Sequence, residues 1–590
     1  MSPLTSRPVP PPPPARVNVL VLITLLLSIV SLVIEQEAPS AGPVLLFTNI
    51  LDFGVLALFL AEFALEVARA GGRLRFLRRH LFDVLFLLVF AALFAVNKYL
   101  LFSRQAALYG NLPGKIIVVR NIFVVLKVFG RVRRLNAFLR SLTAQPARTV
   151  MLSFALAIVT GTVLLMLPFT TPNSRGLGFV DALFTSTSAV CVTGLIVVDT
   201  VTAFSIWGKI ALMVLIQAGG LGIMILSFFM AFVLRRSLTV EDKLLISYVT
   251  SQKDMSSLGR SLRSIVYITL AVEGAGALLL FAGFQSRLGF SLQTVFTSLF
   301  HAVSAFCNAG FSLFSDSLEG FRSSLLINLV IGLLIVVGGL SFPVLMDAGS
   351  RIPRGLARAS GRTRSARRGL SINTRVVLTG TVLLLVAGTL LIYGLEYRHA
   401  LAGYDLKTQY LAAFFQSLTT RTAGFNSVPM SGLRTPTYLV MMVLMFIGAA
   451  SGSTAGGIKI NSAALILAYV KSVLKDQQAV TLYGHSVSKD LVLRALMILL
   501  FGLLSVLTGT LLLSFTEKVP FVFVCFETVS AFGTVGLSAG ITPGLSIAGK
   551  YVIIVLMFVG RVGPLTLLAA AVQRVRKVQI EYPAGEILIG

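Results

Sequence analysis

Apolar residues run through this chain in long blocks rather than alternating with polar ones. Beyond residue 145 the blocks come in pairs: 149–169 and 206–234, 262–284 and 323–346, 374–396 and 436–470, 490–515 and 548–573. Blocks of about 20 residues, almost free of charge, are long enough to cross the hydrocarbon core of a bilayer as helices. Between the members of each pair lies a shorter stretch of small and hydroxyl residues with one glycine. These stretches read TSTSAVCVTGL (185–195), FHAVSAFCNAGF (300–311), FFQSLTTRTAGF (414–425) and ETVSAFGTVGL (527–537). Their glycines, Gly194, Gly310, Gly424 and Gly536, stand 116, 114 and 112 residues apart. Such even spacing marks an internal repeat. The pattern predicts helix, re-entrant loop, helix, four times over, at about 146–235, 260–347, 372–470 and 488–575.

A loop this short cannot cross the membrane and emerge on the far side. Non-helical backbone at that depth is tolerated only where it is buried in protein or lines water. Four such loops around one axis meet that condition together, with carbonyl oxygens that replace the water shell of a cation. Glycine permits the backbone angles and the close approach this needs, and each short helix before the loop aims its negative end at the centre. The expected filter residues are Val192, Thr193 and Gly194, Asn308, Ala309 and Gly310, Thr422, Ala423 and Gly424, and Thr534, Val535 and Gly536. A lone glycine in a membrane helix more often serves only helix packing. Four in one shared context favour the filter.

Composition narrows the class. Apolar residues make up 56% and charged residues 12%, against about 25% charged in ordinary soluble domains. The net charge of +27 does not point to nucleic acid, because basic residues gather in short loops, with Arg351, Arg354, Arg358, Arg362, Arg364, Arg367, Arg368 and Arg375 in 348–375. Loops of the opposite phase carry little, such as Arg175 and Arg287, so 348–375 is placed in the cytoplasm. The cysteines Cys191, Cys307 and Cys525 have no metal-ligand spacing. Residues 8–14, PVPPPPP, read as a solvated spacer in a cytoplasmic tail, 1–16. The run 17–34 has no small-residue cleavage site after it and reads as a retained helix.

At these loops the sequence resembles the Trk/Ktr/HKT superfamily of potassium transporters, most closely the membrane subunit of the bacterial Ktr type. The resemblance covers about 145–590. It takes in TSAVCVTGLIVVDT, CNAGFSLF, TTRTAGFNSV and SAFGTVGLS, and also QAGGLGIM (217–224), GGLSFPV (338–344), GSTAGGIK (452–459), FVGRVGP (558–564) and YPAGEILIG (582–590). It implies a homodimer with one pore per protomer. It also implies K⁺ as the transported ion, Na⁺ as an activator in some relatives, and a cytoplasmic nucleotide-binding ring subunit as partner. Glycine at all four filter positions implies K⁺ selectivity, since serine at the first goes with Na⁺ permeation in related plant transporters.

GSTAGGIK is not a phosphate loop: that motif needs Lys directly after Gly457, where Ile458 stands. Its composition instead predicts a break in the helix within the membrane, and the resemblance makes it a gate beneath the filter. The gate residues are Gly452, Ser453, Thr454, Ala455, Gly456, Gly457 and Lys459, with Lys459 either a charged plug or a snorkelling anchor. Arg561, inside the apolar run 551–571, must face water or an acceptor. It is either a barrier to K⁺ or a tie between helices through carbonyls. Arg421, Glu273, Glu527 and His301 read as braces for the pore helices or neighbouring spans.

The first 145 residues predict a further four-helix membrane domain, 17–145, with helices at 17–34, 44–69, 81–102 and 114–141. FLAEFALEVARAGGRLRFLRRHLFD (59–83) resembles the second and third helices of voltage sensors, with Phe59, Glu62 and Asp83 as the charge-transfer site. The fourth helix offers Arg120, Lys127, Arg131 and Arg134, of which only the last two are three apart. At about 2.3 kcal/mol per charge per 100 mV, one or two moving charges bias opening only modestly. The expectation is an all-α integral membrane protein of the cell membrane, both termini cytoplasmic, not an enzyme and without a cofactor. It takes up K⁺ drawn by the negative interior. A voltage-gated K⁺ channel and an ATP-driven pump are the alternatives.

Overall fold

The computed structural model describes residues 146–173, 175–222, 258–349, 370–477 and 479–571. The expected N-terminal helices, the C-terminal YPAGEILIG and most of the basic loop lie outside these residues.

Helices dominate. Leaving aside the single turn Thr200–Ala203, in chain order they are α1 (Pro146–Leu165), α2 (Phe179–Val190), α3 (Ile206–Leu221), α4 (Leu258–Leu288), α5 (Leu292–Phe306) and α6 (Leu325–Gly339). There follow α7 (Phe342–Gly349), α8 (Ile372–Glu396), α9 (Leu406–Thr419), α10 (Thr435–Phe446) and α11 (Ile460–Leu474). The last are α12 (Lys489–Thr516), α13 (Phe521–Gly533), α14 (Ile547–Val562) and α15 (Pro564–Ala571). Several starts are written locally. The hydroxyls of Ser205, Ser291, Ser371 and Ser546 accept the backbone N–H three residues on, at 3.0 to 3.3 Å, which satisfies a donor the helix itself leaves free.

Three described helices, 264–288, 372–396 and 489–516, are long and apolar enough to cross a membrane, or four if one bent pair counts as a single span. That pair is α6 and α7, bent by 104° at Leu340–Ser341, just before Pro343, whose ring cannot continue a helix already under way. The apolar block 323–346 is therefore broken. The long helices turn large side chains outward: Leu278, Leu390, Leu500 and Phe515 are all exposed. Apolar faces on this scale suit lipid rather than water.

One element departs from the all-α expectation. β1 (Val480–Leu482) and β2 (His485–Val487) pair antiparallel in the link between α11 and α12. Tyr483 and Gly484 both have positive φ, 50° and 78°, the two-residue turn whose twist suits a hairpin. A signal of two residues, inside a link flanked by long helical blocks, is too small to alter the periodicity around it.

The core gathers around the short helices. Phe184, Phe300, Phe415 and Phe526 are fully buried, one on each of α2, α5, α9 and α13, while α4, α8 and α12 stand outside them. The short, least exposed helices are held inside, and their C-terminal ends form the candidate site.

Candidate functional site

The helices α2, α5, α9 and α13 end three to five residues before Gly194, Gly310, Gly424 and Gly536. Each glycine has positive φ, at 90°, 69°, 82° and 90°. So does the residue two places before it: Val192 at 56°, Asn308 at 59°, Thr422 at 66° and Thr534 at 50°. Such angles cost an ordinary side chain roughly 1–2 kcal/mol. In three loops the helix end stabilises them with paired backbone bonds. Thr193 N–H donates to Ser188 O (2.7 Å) and Val192 N–H to Ala189 O (3.1 Å). Ala309 and Asn308 do the same to Ser304 and Ala305, as do Val535 and Thr534 to Ser530 and Ala531. This is a Schellman helix end, with the left-handed place usually taken by glycine filled by Val, Asn or Thr. In the third loop Ala423 N–H reaches Thr419 O instead, at 3.0 Å. The Ser188 and Ser530 hydroxyls accept the Gly194 and Gly536 amides at 3.0 and 3.1 Å.

The glycines close into a ring. A Cβ on Gly194 would strike Ala309 O and the Gly310 Cα; one on Gly310 would strike Ala423 O and the Gly424 Cα. One on Gly424 would strike Val535 O, and one on Gly536 would strike Thr193 O and the Gly194 Cα. Each glycine thus faces the carbonyl that precedes the next glycine, in the order 194, 310, 424, 536 and back to 194. All of Val192, Thr193, Asn308, Ala309, Thr422, Ala423, Thr534 and Val535 are buried. Among the described residues no group of three or more His, Cys, Asp or Glu could hold a metal ion.

Beside this ring lies the break between α10 and α11. Gly448 N–H donates to Ile458 O (2.8 Å) and Ile460 N–H to Ala449 O (3.1 Å), closing the base of the loop. Thr454 ties its tip to α6: its hydroxyl donates to Gly338 O (3.1 Å), with Phe306 O at 3.4 Å. A Cβ on Gly456 would meet the Thr534 side chain, and one on Gly457 would come within 3.2 Å of the Gly533 Cα. Gly452 and Gly457 both take positive φ, 78° and 67°. The expected gate residues therefore lie together, against the C-terminal ends of α5 and α13.

Arg561, in the last turn of α14, donates to Thr454 O of this loop and to Gly219 O of α3. A guanidinium in an apolar helix must find acceptors, and here main-chain carbonyls supply them. Lys459 turns back on its own loop and donates to Ala455 O and Gly456 O, a third arrangement beside the plug and the snorkelling anchor. The residues expected to act as braces are more varied in their contacts. Gln217 of α3 donates to Glu273 of α4 (3.3 Å), and Cys307 lies against both. Arg421 is buried, and its Nε has no hydrogen-bond partner. Asn308, oriented by its neighbours, donates to Ala305 O (3.1 Å) and Ile335 O (3.2 Å) and turns its oxygen toward the Thr422 hydroxyl.

Three glycines not expected in the site complete it. A Cβ on Gly219, Gly338 or Gly560 would strike the carbonyl of Val190, Phe306 or Phe532, each four residues before a ring glycine. The signal lay in QAGGLGIM, GGLSFPV and FVGRVGP, whose glycines recur at one place in three of the units. Phe59, Glu62, Asp83, Arg120, Lys127, Arg131 and Arg134 lie outside the described residues.

An apolar helical scaffold around turned-back glycine loops defines a class, the helical membrane transport proteins. Residues 116–578 match the TrkH family, described as a cation transport protein, and the chain belongs to that family. It is 37% identical over 447 residues to the Ktr system potassium uptake protein B of Bacillus subtilis, covering 75% of this chain and 97% of that one. It is 40% identical over 445 residues to the protein of the same description from Vibrio alginolyticus, covering 75% and 94%. The potassium/sodium uptake protein NtpJ of Enterococcus hirae is 32% identical, with 75% and 97% covered. The crystal structure of the potassium transporter TrkH from Vibrio parahaemolyticus shares the fold, with a TM-score of 0.60, 18% identity and 82% and 97% coverage.

Proposed function

We propose that this protein carries K⁺ into the cell across the plasma membrane, through a single pore lined by four glycine loops. Four helix–loop–helix repeats surround that pore, and the residues from Val192, Asn308, Thr422 and Thr534 to their glycines form its selectivity filter. The observation that carries this reading is the closed order of contact among Gly194, Gly310, Gly424 and Gly536. Positive φ alternating with ordinary backbone turns successive carbonyls toward one side, and four helix C-termini add negative potential there. Both favour a cation stripped of water. Relatives described as potassium uptake proteins support K⁺ as the ion, and one described as a potassium/sodium uptake protein keeps Na⁺ in play as a second ion. Membership in a cation transport family leaves the voltage-gated channel and the pump without support.

The segment Gly452–Lys459 is the gate, held across the path by Arg561 and Thr454. Protein function in the cell rests on a homodimer, each protomer with its own pore, and on a cytoplasmic nucleotide-binding subunit that moves the gate. The test is growth of a K⁺-uptake-deficient bacterium at low K⁺. Wild type with its regulatory partner restores growth, whereas Gly310→Ser, with a side chain forced into both a positive φ and the Ala423 carbonyl, loses K⁺ affinity and Na⁺ rejection. Failure of wild type to rescue refutes K⁺ uptake. A Gly310→Ser protein with wild-type affinity refutes the filter.

A further inference from the structure

His301 and Glu527 are buried, and each stands nine residues before a ring glycine, Gly310 and Gly536. They sit at the same depth on α5 and α13, behind the two loops that are not neighbours in the ring and so oppose each other across it. Each reaches the outward limb of its own loop at one place. The His301 Nε2 lies 3.0 Å from the Ser312 hydroxyl, two residues past Gly310, and accepts the Leu313 amide at 3.4 Å. Its Nδ1 lies 2.8 Å from Thr297 O. A carbonyl only accepts, so Nδ1 carries the proton and Nε2 is free to accept.

Glu527 faces a matching chain. Thr542 donates to its Oε1 and lies 2.9 Å from the Ser538 hydroxyl, two residues past Gly536. The single Thr542 proton is committed to the carboxyl, so Ser538 donates to Thr542. The two serines are fixed alike: Ser312 accepts the Phe314 amide and Ser538 the Gly540 amide, both four residues past a glycine, at 3.0 and 2.9 Å. The other two loops have no such arrangement. Thr185 and Phe415 occupy the place of His301 and Glu527, and Ile196 and Asn426 the place of the serines. Asn426 is held from elsewhere, by Glu319 at 2.7 Å. His301 is wedged besides, stacked on Phe314 at 4.9 Å.

We propose that His301 and Glu527 are a matched pair of positioning residues. Each holds the outward limb of one of two opposed filter loops from behind, through the serine two places past the glycine, and together they set the width of the ion path. The proposal rests on the filter reading above. A hydroxyl and a main-chain amide pulled back toward a buried acceptor keep each loop from collapsing inward on a smaller ion. Loss of either brace then shows in ion discrimination before it shows in the amount of folded protein.

The experiment compares K⁺ uptake into cells by wild type, Ser312→Ala, Ser538→Ala, Glu527→Gln, Glu527→Leu and Gly310→Ser, with the regulatory partner present and protein in the membrane quantified. The serine variants leave the buried groups and the fold in place. Each is expected to raise KM for K⁺, and to strengthen Na⁺ competition, about fivefold, the scale of one lost hydrogen bond, with maximal rate per protein little changed. Glu527→Gln, which keeps an acceptor for Thr542, restores most of the discrimination that Glu527→Leu loses. Serine variants with wild-type KM and Na⁺ competition overturn the proposal, as does loss of rate in proportion to loss of protein. If Gly310→Ser loses discrimination while both serine variants match wild type, the bracing alone is wrong. If Gly310→Ser also behaves as wild type, the filter reading falls with it.

Discussion

Val192 is a β-branched residue held at a φ of 56°, where the branch crowds its own backbone. Strain of this kind costs about 1–3 kcal/mol, and glycine at the same place loses about 0.5–1 kcal/mol to the freedom of the unfolded chain. The first effect is larger, but Val192 is also buried in the core, and losing its side chain costs about 1.5–3 kcal/mol. Val192→Gly is therefore expected to lower the melting temperature of the purified protein and to loosen Na⁺ rejection in uptake assays; a raised melting temperature would show that strain outweighs burial. In the link between α5 and α6, outside the helices long enough to span a membrane, burial raises the pKa of Glu319, the neighbouring Asp316 adds to this, and the Asn426 amide and Arg322 work against it. A carboxyl whose folded pKa is raised contributes stability below its unfolded pKa and loses that contribution as pH rises through the folded value. Wild type should gain melting temperature on acidification from neutral pH relative to Glu319→Gln, and parallel curves for the two proteins would remove Glu319 from the account. The ring glycines were readable in the sequence because their context recurs. The left-handed angles at Val192 and Thr534 were not, because propensity argues against them and only the helix-end bonds overcome it.

At the scale of elements, α3, α6 and α14 approach the ends of α2, α5 and α13 so closely that a glycine is needed at each contact. In Gly560→Ala the added methyl meets Phe532 O, and overpacking of this kind costs about 1–3 kcal/mol. The expected result is a lower melting temperature and a broader size-exclusion profile in detergent, and an unchanged protein would show that α14 has room to move. The segment Gly452–Lys459, the proposed gate, is held partly by side chains. Thr454 bonds α6 and Arg561 joins it to α3 and α14, beside main-chain bonds from Thr454 N–H to Gly338 O and from Gly457 N–H to Gly560 O, both at 3.4 Å. Thr454→Val and Arg561→Gln each remove one tie, so both should raise K⁺ uptake in cells lacking the regulatory partner; uptake that stays partner-dependent in both would place the gate elsewhere. The sequence marked the break at Gly452–Lys459 by composition. It did not mark where Arg561 points, since an arginine on an apolar helix has several carbonyls within reach. The hairpin at Val480–Val487 and the bend at Leu340–Ser341 were missed because long apolar periodicity outweighs signals of two or three residues.

At the scale of the molecule, the curated relatives are covered almost to their full length while a quarter of this chain has no counterpart in them. The family match begins at residue 116, inside the segment 114–141 read as the last helix of the N-terminal domain. A chain starting at residue 116 should therefore still restore growth at low K⁺. Loss of uptake despite normal membrane levels would make the N-terminal region part of the transport machinery.

The sequence by itself determined that the chain lives in a membrane, that its helices frame recurrent glycine loops, and that it belongs with cation transporters. The first two follow from composition, block length and repetition, and the third from the resemblance of its motifs to a known family; all are local properties that survive without knowledge of contacts. Only the tertiary structure decided which glycine faces which carbonyl, which carbonyls Arg561 and Lys459 bond, and that His301 and Glu527 hold opposed loops. Apart from the bonds of Lys459 to its own loop, three and four positions away, those are pairings between residues more than ten positions apart, and in several cases more than a hundred. They depend on how helices of similar apolar character pack against each other, where hydrophobicity is uniform and only steric fit and hydrogen-bond direction discriminate.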